Sequence, residues 1–324
     1  MPEDDLIEIS NGIYLFIPPP DRVAGWRRSG NIVFLNNSPE LYIVDSGGPS
    51  VRNHLVTLAN NLLSDNERPI HCIHTHGHID HMAGANKLQE NFHATIWASE
   101  EAIPFVKSQS AINMDLERES IIVSFRELFT APSWFVRAAM WVTLGRTSAL
   151  SSVRPLEKTS EIGETGFHPI GLPGHHRGHI GFYKEDEGIL IVGDLIDPRH
   201  KMKPILTSPS SDYKEMMKSF NTVLRIAPEV LLPGHGEPIM GQENVKTAIL
   251  RALETMEAAH DRVLELLETE QLTLPQLSKR LVRMGLGPGD VFRRMFIHSI
   301  LRHLVKSGKV SRHQTSRSTT IFSV

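Results

Sequence analysis

Three short apolar, β-branched runs in this chain end in the same way, and that recurrence constrains the fold more than any other feature. Ile70 to Ile73 leads into Thr75-His76-Gly77-His78-Ile79-Asp80-His81, Ile189 to Val192 into Gly193-Asp194, and Val230 to Leu232 into Pro233-Gly234-His235. Each is a strand-like run closed by Gly and then by His or Asp. A layered α/β sheet gathers its chemistry at the carboxyl ends of its strands. Ligand-type residues more than a hundred positions apart can therefore meet at one edge.

Composition sharpens this reading. Histidine is the anomaly, with 17 in 324 residues, and many sit beside Gly, Asp or Pro at the ends of apolar runs. Cysteine occurs once, as Cys72, which excludes an internal disulfide framework and fits a reducing compartment. With 40% hydrophobic and 22% charged residues the chain is neither disordered nor fibrous. It begins Met1-Pro2-Glu3-Asp4-Asp5, acidic where a secretory signal is basic, and the apolar stretch Ala131 to Leu150 is broken by Arg137 and Arg146. The expectation is a cytoplasmic protein with no membrane partner.

Ile13 to Ile17, Ile32 to Leu35 and Leu41 to Val44 read as further strands, and Val51 to Leu63 as an amphipathic helix capped by Ser50. From residue 244 to 268, Val245, Ile249, Leu253, Met256, Val263 and Leu267 recur at helical spacing. Two shorter helices, Leu274 to Met284 and Val291 to Ser307, then precede a strand pair within Lys309 to Val324. Charge divides the chain as well: Gln271 to Val324 carries ten Lys and Arg against one acid, Asp290, whereas the remainder is net acidic. Two domains are expected, 1–242 and 243–324. Between Glu100 and Glu161, Phe105, Phe125, Phe129, Trp134, Phe135 and Trp141 form either a greasy lid or the core face of helices.

Within Thr75 to His81, positions i and i+2 of an extended loop project to one side, so His76 and His78 can share one cation while Asp80 and His81 point toward a second. Imidazole and carboxylate suit Zn, Fe or Mn, and the lack of cysteine in the cluster argues against a closed structural zinc site. His71 and His74, on the preceding run, read as structural rather than ligating, and Cys72 as a small buried hydrophobe. His93, His168, His200 and His260 stand alone and are assigned no role.

The heptapeptide Thr-His-Gly-His-Ile-Asp-His resembles the His-x-His-x-Asp-His motif of the metallo-β-lactamase superfamily. Further matches follow in order: Asp45, His175 in Leu-Pro-Gly-His, Asp194 in Val-Gly-Asp and His235 in Leu-Leu-Pro-Gly-His-Gly, so that the likeness spans residues 13 to 238. It implies an α/β fold, the αββα sandwich, and two divalent metal ions, Zn first with Fe or Mn as alternatives. By the resemblance His76, His78 and His175 hold the first metal, Asp80, His81 and His235 the second, and Asp194 bridges them. Asp45 and His179 would not touch metal but would orient the ligands. His176 stands where relatives usually have Thr and is a candidate to line the pocket. The implied chemistry is attack by a metal-bound hydroxide, with Asp80 as the catalytic residue that holds it.

The substrate is less constrained. Lys203 lies where glyoxalase II carries a basic glutathione contact, but Asp197 to Met202 does not match that enzyme. The lactonase branch has a Tyr close behind the bridging Asp, whereas the next here is Tyr213. The C-terminal segment resembles the winged helix appended to the β-lactamase-like 2 group, which includes endoribonucleases acting on single-stranded RNA and also thioesterase-like members. Its helices either bind RNA through their charge or wall the pocket, and Phe292, Phe296 and Phe322 are few for base stacking. The leading expectation is an ester or thioester hydrolase for a small acyl substrate, an acyl-CoA or related anion met by Arg199, Lys201 and Lys203. An RNA endonuclease or a lactonase is the alternative, and a nucleic-acid-binding regulator with a degenerate hydrolase domain is disfavoured by the intact ligand set. Association into a homo-oligomer is left open.

Overall fold

The structure is a computed structural model and describes residues 5–19, 22–23, 26–27, 29–63, 68–108, 149–157, 160–286, 289–315 and 319–324, together with Val123 and Glu127. The strands of its first half are β1 Leu6–Ser10, β2 Ile13–Phe16, the short pair β3 Arg22–Val23 and β4 Trp26–Arg27, β5 Ile32–Leu35, β6 Leu41–Val44, β7 Ile70–His74, β8 Thr95–Ala98 and β9 Arg154–Pro155. Helices α1 Arg52–Leu63, α2 Ile79–Met82, α3 Ala85–Phe92 and α4 Ile103–Lys107 lie between them. The second half holds β10 Phe167–Gly171, β11 Ile180–Lys184, β12 Ile189–Gly193, β13 Ile196–Asp197, β14 Lys203–Pro204, α5 Tyr213–Ile226, β15 Val230–Pro233 and β16 Ile239–Met240. Helices α6 Gln242–Thr269, α7 Leu274–Arg280 and α8 Asp290–Lys306 follow, and the chain closes on β17 Ser311–Gln314 and β18 Thr320–Ser323.

Two large sheets result, ordered β1-β2-β5-β6-β7-β8-β9 and β10-β11-β12-β15-β16, beside the two-stranded pairs β3-β4, β13-β14 and β17-β18. Side-chain alternation along the central strands explains why they stack. Phe34, Leu41, Ile43, Ile70, Cys72 and Ile96 face outward onto Leu55 and Leu58 of α1 and Leu88 of α3. Their neighbours Val33, Leu35, Tyr42, Val44 and Ile73 face inward onto Phe167, Ile180, Phe182, Ile189, Ile191 and Leu232 of the second sheet. Leu190, Val192 and Leu231 then face outward again, onto Met216 and Phe220 of α5 and Val245 and Ile249 of α6. Strands covered on both faces need unbroken apolar runs, which is why these segments lack a polar alternation. The layers are helix, sheet, sheet, helix, the αββα sandwich expected from the sequence.

The tail does not stand apart from this core. Leu274 and Leu277 of α7, Phe296, Ile297, Ile300 and Leu301 of α8, and Phe322 of β18 belong to the same buried cluster as Leu190 and Leu231. Phe296 and Phe322, 3% and 0% exposed, are therefore core residues rather than stacking platforms. Antiparallel β17 and β18 form the expected strand pair. One local expectation is corrected. Pro49–Val51 is a 3-10 turn preceded by Gly48, and α1 starts only at Arg52, because Pro49 sets the backbone of that turn and Ser50 lies within it. Phe125, Phe129, Trp134, Phe135 and Trp141 lie outside the described residues. Among the described residues no helix is long and apolar enough to cross a membrane.

Topology delivers the site. β6 and β7 run parallel, as do β12 and β15, with helices crossing over between the members of each pair. The four carboxyl ends thus open on one edge, leading to Asp45, Thr75 to His81, Asp194 and His235.

Phe182 is wholly buried between the sheets. Phe182→Ala should lower the unfolding free energy by about 3–5 kcal/mol, whereas Met240→Ala, at a position 49% exposed, should change it by less than about 0.5 kcal/mol. Urea denaturation of the two variants checks the layer assignment.

Candidate metal centre

Asp45, just beyond β6, organises the ligands without joining them. It takes the left-handed conformation, with φ of 60°, which Asp tolerates better than most side chains. Its Oδ1 accepts the Thr75 backbone N–H at 2.8 Å, and its Oδ2 accepts both the Thr75 hydroxyl at 2.8 Å and His81 Nδ1–H at 2.9 Å. With its own proton given to Asp45, Thr75 Oγ1 accepts from His76 Nδ1–H at 2.9 Å. One carboxylate thereby fixes the tautomer of two imidazoles, and both turn an Nε2 lone pair inward. His175 is set by the same logic, since its Nδ1–H donates to the Ile205 carbonyl at 2.7 Å.

These lone pairs converge. His76 Nε2 and His175 Nε2 lie 3.0 and 2.8 Å from His78 Nδ1. His81 Nε2 lies 3.4 Å from His235 Nε2, which is itself 3.3 Å from Asp80 Oδ2. Two groups result: His76, His78, His175 and Asp194, and Asp80, His81 and His235, with ligand atoms within 4.8 Å of one another in each. Asp194 faces both. Its Oδ1 is 3.3 Å from His81 Nε2 and 3.5 Å from His235 Nε2, and its Oδ2 is 3.6 Å from His175 Nε2. Three imidazole nitrogens aimed at one point cannot satisfy each other with one shared proton, and a cation satisfies all of them. The residues present therefore fit a pair of divalent ions.

The electrostatics suit neutral ligands in the first group, whereas in the second a cation would have to displace protons from His81 and His235. Burial, reinforced by neighbouring imidazoles, holds His76 and His78 well below the ordinary histidine range, and burial also lowers His175. They are neutral, as ligands must be. Burial acts the same way on His81 and His235, but Asp194, helped by Asp45 and Asp80 at His81 and by Asp80 at His235, outweighs it and raises both. Asp194 opposes its own burial through His235 and His81 and stays ionised well below the usual carboxylate range. Buried carboxylates in this centre call for positive charge. The open side is marked by His78 and Asp80, which are partly exposed, whereas His76, His81 and His175 are fully enclosed.

His179, expected to orient rather than ligate, occupies such a position. Its Nδ1–H donates to the Leu172 carbonyl at 2.7 Å, and its Nε2 accepts the Asp194 backbone N–H at 3.1 Å. His176 packs edge-on against Phe105 at 4.7 Å and against His78 at 4.6 Å, along one wall of the first group. Arg199 is held by Asp197 through its Nε and Nη2, each at 2.8 Å, and its Cγ and Cδ lie along Gly236, next to His235. Lys203 donates instead to the carbonyls of Met284 and Gly285, and Lys201 is exposed. His71 stacks on Tyr42 and accepts from Trp97, and His74 is buried beside Ser46, so both are structural as read from the sequence.

A clasp built by Gly30 and Asn31 escaped the sequence reading. Gly30 N–H donates to the Asp80 carbonyl and Asn31 N–H to the Gly234 carbonyl, while the Asn31 side chain donates to the carbonyls of Pro233 and Gly236 at 2.9 and 2.8 Å. The segment ties the Asp80 loop to the His235 loop. Gly30 has to be glycine, because a Cβ there would lie 2.5 Å from the His81 ring. The turn signal at Ser29-Gly30 is visible in the sequence, but nothing local tells what it touches.

A sandwich carrying His and Asp ligands for two cations at the ends of its parallel strands is the framework of a metal-dependent hydrolase. The profile of the metallo-beta-lactamase superfamily matches residues 25–235, and the chain belongs to that superfamily. It is 24% identical over 213 residues to a protein described as probable metallo-hydrolase YybB of Bacillus subtilis, covering 65% of this chain and 83% of that one. Hydroxyacylglutathione hydrolase GloC of Haemophilus influenzae is 23% identical over 181 residues, covering 55% and 74%. Among solved structures, the metallo-beta-lactamase family protein TTHA1429 of Thermus thermophilus superposes with a TM-score of 0.72 at 20% identity, over 98% of this chain and 100% of that one. The shared fold thus extends through the C-terminal helices.

Asp45→Asn keeps the shape but weakens the grip on Thr75 and His81. It should reduce divalent-metal affinity by about 10–100-fold, read by competition with a chromophoric chelator, while leaving far-UV circular dichroism unchanged.

Proposed function

We propose that this chain hydrolyses an ester or thioester of a small acyl substrate with two divalent cations, zinc first among the candidates. The observation that carries the reading is the division of Asp194 between the two groups, one carboxylate oxygen toward His81 and His235 and the other toward His175. Such a pair of cations supplies, when bound, a water of lowered pKa and a Lewis acid for the carbonyl oxygen. His76, His78 and His175 would hold one ion and Asp80, His81 and His235 the other. Asp80, partly exposed at the open side, would orient a reacting water. His179 and Asp45 keep the ligands in place through Asp194 N–H and through Thr75 and His81.

The substrate class is supported by the surroundings. His176 presents its ring beside His78 and is backed by Phe105, a wall suited to an acyl group. Arg199, oriented by Asp197 beside the His235 loop, offers a cationic edge for an anionic substrate. The likeness to a hydroxyacylglutathione hydrolase points the same way. The RNA alternative loses support from the C-terminal cations. Arg293 and Arg294 pair with Asp290, and Arg302 with Asp212, so these three are engaged inside the protein, while Arg280 pairs with Glu270 at the surface. Tyr213, the nearest tyrosine after Asp194, stacks on His260 and His303 in a cluster of three rings, away from a lactonase role. In this reading residues 1–242 carry the chemistry and residues 243–324, winged-helix-like in element order, wall the pocket.

The test is turnover by zinc-loaded protein across acyl thioesters, lactones, phosphodiesters and single-stranded RNA. Thioester or ester hydrolysis, lost by more than about 1,000-fold in Asp194→Ala, is the expected result; that loss corresponds to about 4 kcal/mol of transition-state stabilisation. Cleavage of RNA with inert thioesters would overturn it.

A further inference from the structure

We propose that Arg302, on the C-terminal helix α8, is a positioning residue for the first metal group, acting through the segment 205–212 that grips His175. The inference rests on the metal-centre reading above and assigns part of that centre to the tail of the chain.

A continuous set of contacts runs from ligand to helix. His175 is held on two sides by one segment: its Nδ1–H donates to the Ile205 carbonyl at 2.7 Å, and its own carbonyl accepts the Ser211 hydroxyl at 2.7 Å. Asp212 N–H adds a bond to the carbonyl of the preceding Gly174 at 2.8 Å. That segment is an irregular stretch between β14 and α5, with no sheet ladder of its own. It is held from behind by Arg302, whose Nη2 donates to the carbonyls of Ser210 and Ser211 at 3.3 and 2.8 Å and meets Asp212 Oδ2 at 3.2 Å. Arg302 is 5% exposed and Ser211 fully buried, so water cannot replace these bonds without opening the packing.

Two features make this support specific. The three contacts are made by one nitrogen, Nη2, whose two hydrogens are divided among the carbonyls of Ser210 and Ser211 and the Asp212 carboxylate, so a charged donor sits where all three acceptors converge. Asp212 also caps α5 by accepting the Glu215 N–H, which ties the end of the segment to the outer helix layer. A second cross-link runs the opposite way, from Lys203 of β14 to the carbonyls of Met284 and Gly285, just before α8. The tail therefore fastens both ends of the stretch that sets the His175 imidazole. The second group draws its Asp80, His81 and His235 from loops clasped by Gly30 and Asn31 instead. Arg302 should accordingly tune one group and spare the other.

Zinc affinity, measured by chelator competition in two backgrounds, tests this. In Asp80→Ala/His235→Ala, which keeps the first group, adding Arg302→Met should weaken zinc binding by about 10–100-fold. Ser211→Ala should weaken it in the same direction, and Arg302→Lys should fall between wild type and Arg302→Met. In His76→Ala/His78→Ala, which keeps the second group, Arg302→Met should leave affinity within about twofold. If Arg302→Met does not fold, Arg302→Lys in the two backgrounds carries the test, with weakening in the first alone expected and equal or no weakening overturning the proposal. Equal weakening in both backgrounds, or unchanged affinity in the first, overturns the proposal while leaving the metal centre standing. Absence of zinc binding in the wild-type chain overturns both.

Discussion

The structure is organised around Asp194, a buried carboxylate that faces imidazoles on both sides and belongs wholly to neither group. Around it the fold brings together five imidazoles and a second carboxylate whose lone pairs point inward at separations of 2.8 to 3.6 Å. Such an assembly is costly unless positive charge fills it. Its cost is offset by the surrounding framework: Asp45, Thr75, His179, Ile205, Gly30 and Asn31 each hold a ligand or a ligand-bearing loop. The sandwich supplies the remaining constraint, since parallel strands with both faces covered open their carboxyl ends on a common edge.

Much of this is legible in the sequence, for a physical reason. Metal ligands are drawn from few residue types, and strands buried on both faces read as unbroken apolar runs. A run followed by Gly and His or Asp is thus a local signal of a non-local site. His76, His78, Asp80, His81, Asp194 and His235 are visible in this way, and His175, Asp45 and His179 once the resemblance is drawn. The long helix α6 is visible through its apolar spacing alone.

What is not legible depends on contacts between distant segments. Asn31 reaches loops about two hundred residues away, and nothing in its neighbourhood announces it. Lys203 can be read from the sequence as a substrate contact, yet its amine is bound to the carbonyls of Met284 and Gly285. The charge of the tail is visible in the sequence, but the acidic partners of its buried members are not. Arg302 and Arg294 are almost fully buried and have acidic partners in Asp212 and Asp290. Even the helix start misleads, because Pro49 places a 3-10 turn where Ser50 looks like a cap.

The tail packs against the sandwich. Its helices share the apolar core of the second sheet, and its buried arginine supports the segment that orients His175. The central claim remains that the seven ligands form one centre for two cations. Native mass spectrometry of the intact chain, titrated with zinc, tests it most directly. Two bound ions per chain at saturation are expected, and a stoichiometry that stays at one would contradict the account.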